Sequence, residues 1–113
     1  MHELSIAQNI IDIVNEQLLV NNLSRVTKIG MRVGKLAAIE PASLKFCFEI
    51  ITRDTNAEGA VLEIDSVPIR YRCNDCQLDF ILDELDFICP NCTGSRLEII
   101  SGRELQVVEL EAY

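Results

Sequence analysis

The residues best suited to chemistry are four cysteines arranged as two Cys-x-x-Cys pairs. Cys73 and Cys76 form the first pair, and Cys89 and Cys92 follow after twelve intervening residues. This spacing is typical of a site in which four thiolates bind one metal ion. Zinc is the first choice, because a closed tetrahedral shell of four sulfurs suits a structural zinc site. The alternatives are an iron electron-transfer site, two disulfides and two unrelated cysteine pairs.

A closed four-sulfur shell has no open coordination position, so we expect it to stabilise the fold and not to catalyse. Structural zinc supplies about 10–16 kcal/mol of apparent binding energy, much of it realised as the segment folds. We therefore predict a zinc-binding module over residues 69–100. Within it, Gln77 to Ile88 would form a short hairpin that brings the two cysteine pairs together.

The amino terminus is a second candidate metal site, because it contains the only histidine, His2. The α-amine of Met1, with the backbone nitrogen and imidazole of His2, can close adjacent chelate rings on one ion. The backbone nitrogen of Glu3 could complete a plane of four nitrogens, which suits Ni(II) or Cu(II). Both side chains also have plain structural interpretations: a solvated terminal histidine, and a carboxylate that favours a helix N-terminus.

Two helices are predicted before the first cysteine pair. Ser5 and Gln8 fit a capping box, and apolar residues at helical spacing follow as far as Asn21-Asn22. Glu40-Pro41 opens the second helix, since proline suits the first helical position. Cys47 lies in the apolar stripe of that helix, so we interpret it as a core residue and not as a fifth ligand. The apolar stripe of the first predicted helix comprises Ala7, Ile10, Ile11, Val14 and Leu18.

Three segments have the alternation of strands: 27–33, the residues around Leu62 and Ile64 before Pro68, and 104–110. We therefore predict an α/β (α+β) fold with two helices on a small three-stranded mixed sheet and an inserted four-cysteine, zinc-ribbon-like module. The predicted domains are residues 1–68 plus 101–113, which would bind nickel, and residues 69–100, which would bind zinc.

Composition restricts the class of protein and its partners. A chain of 113 residues, 49% of them apolar, can build one core with a small appendage. The formal charge of −8 argues against nucleic acid as a partner. No segment has the length or apolar character of a membrane span, and no secretory signal is apparent. Cysteines in metal spacing indicate a reducing compartment, so we expect a cytoplasmic protein.

Three stretches together resemble the HypA/HybF family of nickel metallochaperones for [NiFe]-hydrogenase maturation. They are Met1-His2-Glu3-Leu4-Ser5, Arg32-Val33-Gly34 and the C-x2-C-x12-C-x2-C pattern, and the resemblance runs over essentially the whole chain. It implies Ni(II) bound by Met1, His2 and the backbone of Glu3. It also implies structural zinc on the four cysteines, Cys73, Cys76, Cys89 and Cys92.

The resemblance further implies a HypB-type GTPase and a hydrogenase large-subunit precursor as partners, with urease served by some members. A homodimer is an open alternative. This chain departs from members with a second histidine near the zinc segment, where Glu98 is among its residues. Backbone nitrogen then completes the nickel plane, or the ion is held more weakly. We predict a nickel carrier that is not an enzyme. A zinc-ribbon interaction or regulatory module without nickel transfer is the alternative.

Overall fold

The structure is a computed structural model that describes residues 3–82 and 88–113. Within these residues, neither α-helix combines the length and apolar character that crossing a membrane requires. The elements in chain order are α1 (Glu3–Val20), β1 (Val26–Gly34), a 3₁₀ helix (Lys35–Ala37), α2 (Pro41–Ile51), β2 (Val61–Val67), β3 (Ile69–Cys73), β4 (Asp79–Leu82), β5 (Leu97–Ser101) and β6 (Leu105–Ala112).

The described chain separates into two compact units. The first contains the described residues up to Arg32, together with Ile39–Asp65 and Gln106–Tyr113. The second contains Val33–Ala38 and the described residues of Ser66–Leu105. Both cysteine pairs therefore belong to the second unit.

Helix α1 buries one apolar face in the first unit, as predicted. Its start differs from the prediction: α1 already includes Glu3, so Ser5 lies inside the first turn and is not the cap. A carboxylate at Glu3 suits the positive end of the helix. The helix ends at Val20, just before Asn21-Asn22 as expected, and Asn22 has a left-handed φ of 58°. The Leu23 N–H then donates to the Leu18 carbonyl (2.9 Å), as in a Schellman motif.

Helix α2 begins where the sequence predicts. Glu40 is its N-cap, accepting a hydrogen bond from the Ala42 N–H (3.2 Å), and Pro41 is the first helical residue. Leu44 is buried, and Cys47 is half-buried on the same helix. Cys47 therefore has the placement of an ordinary packing residue.

The three predicted strands form one sheet in the order β2-β1-β6. Strands β1 and β6 run antiparallel, since Arg25 and Tyr113 exchange backbone hydrogen bonds at one end and the Gly34 N–H donates to the Glu104 carbonyl at the other. The apolar β1 residues Ile29, Met31 and Val33 are buried, as the sequence pattern predicts, whereas Thr27 at the start of that pattern is exposed. Two helices with this sheet confirm the α+β prediction.

A second sheet, in the order β4-β3-β5, was not predicted. Both pairings are antiparallel, with Tyr71 opposite Phe80 and Cys73 opposite Leu97. The described residues of Gln77 to Ile88 contribute one strand, β4, which pairs with β3 in a hairpin around the first cysteine pair. The predicted hairpin between the two pairs falls partly on residues 83–87. Residues 83–87 lie outside the described chain. The first cysteine pair thus begins at the last residue of β3, and β5 follows the second pair.

The second unit also depends on a close backbone approach at Gly34. The Leu36 N–H donates to the Gly102 carbonyl (2.8 Å), which holds the two chain segments together. A Cβ on Gly34 would lie 2.6 Å from the Arg103 nitrogen and closer still to the Gly102 carbonyl group. Any side chain at Gly34 would therefore collide with backbone, which cannot move aside as a side chain can.

Candidate metal centre

The two Cys-x-x-Cys pairs form the same backbone turn, repeated at an interval of sixteen residues. In each turn the first cysteine accepts a hydrogen bond from the residue four positions later and donates one to the residue five positions later. The bonds are Gln77 N–H to Cys73 O (2.8 Å), Thr93 N–H to Cys89 O (3.0 Å), Cys73 N–H to Leu78 O (2.9 Å) and Cys89 N–H to Gly94 O (2.8 Å).

The residue after each pair has a left-handed backbone. The φ angles are 66° at Gln77 and 59° at Thr93. Residues other than glycine pay for this conformation, and a β-branched threonine more than most, so each turn is held by its hydrogen bonds against a local preference. The left-handed step directs the next backbone N–H back at the second cysteine of the pair.

All four sulfurs converge on one point. Every Sγ lies within 4.8 Å of the other three, with Cys73 and Cys92 3.5 Å apart and Cys76 and Cys89 3.7 Å apart. A tetrahedron with metal–sulfur bonds of about 2.3 Å has sulfur–sulfur edges of about 3.8 Å. The donor set and its spacing therefore fit one tetrahedral ion. Each pair supplies one buried cysteine, Cys73 or Cys89, while Cys76 is half-buried and Cys92 exposed.

Nitrogen donors surround the sulfurs. The Asn91 backbone N–H donates to Cys89 Sγ (3.4 Å), and the Gly94 N–H donates to Cys92 Sγ (3.4 Å). The Asn91 side-chain amide reaches across to Cys76 Sγ in the other turn (3.6 Å). Such donors stabilise thiolate charge and orient the ligands. Sequence reasoning missed Asn91, although its position inside Cys-Pro-Asn-Cys was a signal.

The thiols differ in acidity because their surroundings differ. Hydrogen bonds from the Asn91 amide and then from the Leu78 backbone lower the pKa of Cys76 to about 7. The Gly94 N–H favours the Cys92 thiolate, but the Cys73 sulfur, burial and the remaining thiols outweigh it and raise the pKa of Cys92 to about 12. Four thiolates at this separation require a cation, so metal binding must release protons.

The arginines that flank the cysteines pair with aspartates of the same unit. Arg72 makes two hydrogen bonds to Asp79 (2.9 and 3.3 Å), and Arg96 lies 2.9 Å from Asp75. The Arg72 hydrogen bond is the main cause that lowers the pKa of the Asp79 carboxyl. These pairs are largely exposed, so they order the surface around the site and add little to stability.

The other residues singled out from the sequence are those of the amino terminus and Glu98. Met1 and His2 lie outside the described residues, and Glu3 is the first described residue of α1. Glu98, discussed above in place of a second histidine, lies on β5 opposite Arg72. The nickel site at the amino terminus therefore stays a prediction.

Comparisons with known proteins agree on one family. The model of the family described as "Hydrogenase/urease nickel incorporation, metallochaperone, hypA" matches residues 1–112. The hydrogenase maturation factor HypA of Desulfosudis oleivorans is 43% identical over 113 residues, spanning 98% of this chain and 97% of the relative. The hydrogenase maturation factor HybF of Klebsiella pneumoniae is 40% identical over 111 residues, spanning 98% of each.

Solved structures show the same fold. The solution structure of the Ni metallochaperone HypA from Helicobacter pylori matches with a TM-score of 0.69 at 24% identity, covering 99% of this chain and 97% of that one. A second solution structure, of a HypA protein, gives a TM-score of 0.74 at 23% identity over 100% and 97% of the two chains. At such identities the likeness concerns the fold alone.

Proposed function

This chain belongs to the HypA family of hydrogenase/urease nickel-incorporation metallochaperones, and from that premise we propose that it binds Ni(II) at its amino terminus and delivers the ion during maturation of [NiFe]-hydrogenase. The observation that carries the proposal is a family match over residues 1–112, which includes Met1-His2-Glu3. Nickel is the cargo of this activity, so the protein acts by binding and release without catalytic turnover.

The chemistry of the first three residues supports this assignment. The α-amine of Met1, the backbone nitrogen and imidazole of His2, and the backbone nitrogen of Glu3 form a planar nitrogen set of the kind that suits Ni(II). The amine and imidazole have reference pKa values of about 7.7–8.0 and 6.5. Both must lose a proton to bind, so nickel is held less tightly as the pH falls.

Structural zinc is the proposed occupant of the four-cysteine group. The support is the donor set itself: four thiols with sulfur–sulfur distances of 3.5 and 3.7 Å in the two close pairs and backbone N–H groups directed at sulfur. Zinc would hold the module of residues 69–100, while the domain of residues 1–68 plus 101–113 would carry nickel. Metal analysis of the purified protein separates zinc from iron, which would colour the protein red.

The proposed partners follow from the family's role. The curated relatives are named hydrogenase maturation factors, which supports a hydrogenase large-subunit precursor as a partner. A HypB-type GTPase is proposed from the family resemblance, and the cytoplasm from cysteines in metal spacing. Urease is a second candidate destination, since the family description includes it. Self-association into a homodimer stays a prediction.

The test is a calorimetric titration of untagged, zinc-loaded protein with NiCl₂, beside His2→Ala and Glu3→Ala. We expect one Ni²⁺ per chain for the parent and no binding at that site for His2→Ala. Glu3→Ala is the matched control, because it removes a neighbouring carboxylate and keeps the backbone nitrogen. An added amino-terminal residue that displaces the α-amine should abolish binding as His2→Ala does.

The opposite result is equally clear. Equal nickel binding by the parent and His2→Ala would show that the amino terminus is not the nickel site. Transfer of nickel to hydrogenase by a chain that lacks its first residues would lead to the same conclusion. The chain would then act as a zinc-stabilised interaction module.

A further inference from the structure

Asn91 contacts two sulfurs that belong to different cysteine pairs. Its backbone N–H donates to Cys89 Sγ (3.4 Å) within its own turn, and its side-chain Nδ2 donates to Cys76 Sγ (3.6 Å) in the other turn. These two sulfurs lie 3.7 Å apart and form one of the two close sulfur pairs. Asn91 therefore contacts both sulfurs of the Cys76–Cys89 half of the four-cysteine group.

The other half, Cys73 with Cys92, has a different neighbour. The residue equivalent to Asn91 in the first turn, sixteen positions earlier, is Asp75, whose carboxylate has no N–H and pairs with Arg96 (2.9 Å). This carboxylate lies beside Cys92: a Cβ built on Gly94 would be 2.5 Å from Asp75 Oδ2 and 3.2 Å from Cys92 Sγ. Where one half has an amide donor, the other has a negative charge.

Exposure follows the same division. Cys92 is exposed and Cys76 half-buried, and each is the second cysteine of its turn. In the described residues, Cys92 receives a single backbone hydrogen bond, from Gly94 (3.4 Å), and no side-chain amide. A thiolate with fewer donors and more solvent is the one that leaves a metal first, since outer-shell donors typically change metal affinity about 10–100-fold.

We propose that Asn91 is a positioning residue of the four-cysteine metal site, which braces Cys76 and Cys89 so that the site opens at its Cys73–Cys92 half. Cys92 is then the first thiol released to solvent. The inference rests on the proposal that the four cysteines hold a metal ion. It adds an order of ligand loss and names the side chain that sets it.

The first measurement compares metal release from zinc-loaded Asn91→Asp and from the parent, with excess chromophoric chelator. This substitution keeps the shape and the backbone N–H but replaces the amide donor with a carboxylate. Asn74→Asp is the matched control, because it makes the same charge change in the other turn, at an exposed side chain that makes no hydrogen bond to sulfur within the described part of the chain. We expect release about 10-fold faster for Asn91→Asp and within about 2-fold of the parent for Asn74→Asp.

The second measurement follows the order in which the thiols appear. Iodoacetamide is added during release, the reaction is quenched at intervals, and the modified peptides are identified by mass spectrometry. Because thiols of different acidity react at different intrinsic rates, each rate is divided by the rate of the same thiol in the metal-free protein, and the order compares these normalised rates. In the parent, Cys92 should be modified before Cys76. In Asn91→Asp, Cys76 should be modified as early as Cys92. General destabilisation would accelerate all four thiols and leave their order unchanged.

Asp75→Asn tests the same idea in the opposite direction, and also decides the matter should Asn91→Asp fail to fold. It places an amide beside Cys92, so release should slow and Cys92 should be modified later than in the parent. A parent chain that holds no metal would overturn the proposed metal site itself. A parent that holds metal, with Asn91→Asp matching Asn74→Asp in rate and order, would overturn the role of Asn91 alone.

Discussion

At the scale of single residues, the metal centre depends on the groups that face the sulfurs as well as on the sulfurs. Cys76 receives the Asn91 amide, and its pKa falls to about 7, whereas the pKa of Cys92 rises to about 12 among the other thiols. The two thiols lie in the same kind of backbone turn, so the opposite directions of their pKa shifts come from the groups that face each sulfur. Their neighbours, and not the cysteines themselves, decide which proton leaves first.

This difference predicts how zinc affinity depends on pH. Affinity should rise with pH, because each protonated thiol must lose a proton to bind. Below a pH of about 7, Cys76 is among the thiols that must lose a proton. Above that pH, Cys76 is already a thiolate, whereas Cys92, with a pKa of about 12, is still protonated. The slope of log zinc affinity against pH, which counts the protons released on binding, should therefore decrease by one as the pH passes 7. Competition with a chelator of known affinity measures this slope.

Asn91→Asp supplies the control for that pH profile. Without the amide donor, the pKa of Cys76 should be higher, so the change of slope should move to a higher pH. Asn74→Asp should leave it in place. A profile with one constant slope from about pH 6 to 8 in the parent protein would contradict the acidity assigned to Cys76.

At the scale of elements, the end of β1 is held by contacts that leave no room for a side chain. A Cβ on Gly34 meets the backbone of Gly102 and Arg103, while a Cβ on Gly30, in the same strand, meets chiefly the Glu109 side chain, at 3.2 Å. A side chain can adjust by a few tenths of an ångström, but two hydrogen-bonded backbone segments cannot do so without losing their bonds.

Gly34→Ala should therefore destabilise the protein by about 1–3 kcal/mol, the usual cost of overpacking, and Gly30→Ala by about 1 kcal/mol or less. Urea unfolding of the zinc-loaded variants, followed by circular dichroism, measures the difference. The Leu36 amide, which donates to Gly102, should also lose hydrogen-exchange protection in Gly34→Ala. Equal stability of the two variants would show that the close approach at Gly34 does not constrain the fold.

The elements also show where sequence reasoning succeeds. Local rules predict the apolar stripe of α1, the start of α2 at Pro41 and the apolar pattern of β1, because each depends only on a continuous segment of sequence. The predicted capping box at Ser5 was wrong. Glu3 is equally compatible with a helix, so α1 extends towards the amino terminus and already includes Glu3. Strands β3, β4 and β5 were missed, although Ile69, Tyr71 and Cys73 alternate with exposed residues.

The site itself was predictable in part for the same reason. Cysteine spacing is a local signal, and it identified the four residues whose sulfurs converge. The contact from Asn91 to Cys76 joins residues fifteen positions apart, and only the pairing of the two turns creates it. Asn74 and Asn91 both lie inside a Cys-x-x-Cys pair, which makes each a candidate, and only the folded structure shows that the Asn91 amide reaches a sulfur.

At the scale of the whole molecule, the two compact units differ in what holds them together. The described core of the first unit has most of the buried apolar residues, from both helices and the first sheet. In the second unit, two of the buried residues are the cysteines Cys73 and Cys89, and Tyr71 stacks on Phe80 at a centroid distance of 5.3 Å. A core this small needs the metal ion as a further link.

Removal of the metal should therefore act on one unit first. With a strong chelator under reducing conditions, the amides of β3 and β5 should lose hydrogen-exchange protection, while those of α1 and α2 keep theirs. Added Zn²⁺ should restore the lost protection. Protection of β3 that persists in the metal-free protein would show that the second sheet folds without the ion.

The repeated turn has a consequence for chains that lose half of their ligands. Segments 73–78 and 89–94 each form a self-contained chelating clip, closed by its own backbone hydrogen bonds. A Cys73→Ser, Cys76→Ser chain would keep one intact clip, and two such chains can together present four sulfurs to a single ion. Damage that removes a ligand pair would thus turn an intramolecular fastening into a bridge between molecules, so that the ion proposed to stabilise the intact chain would crosslink the damaged one.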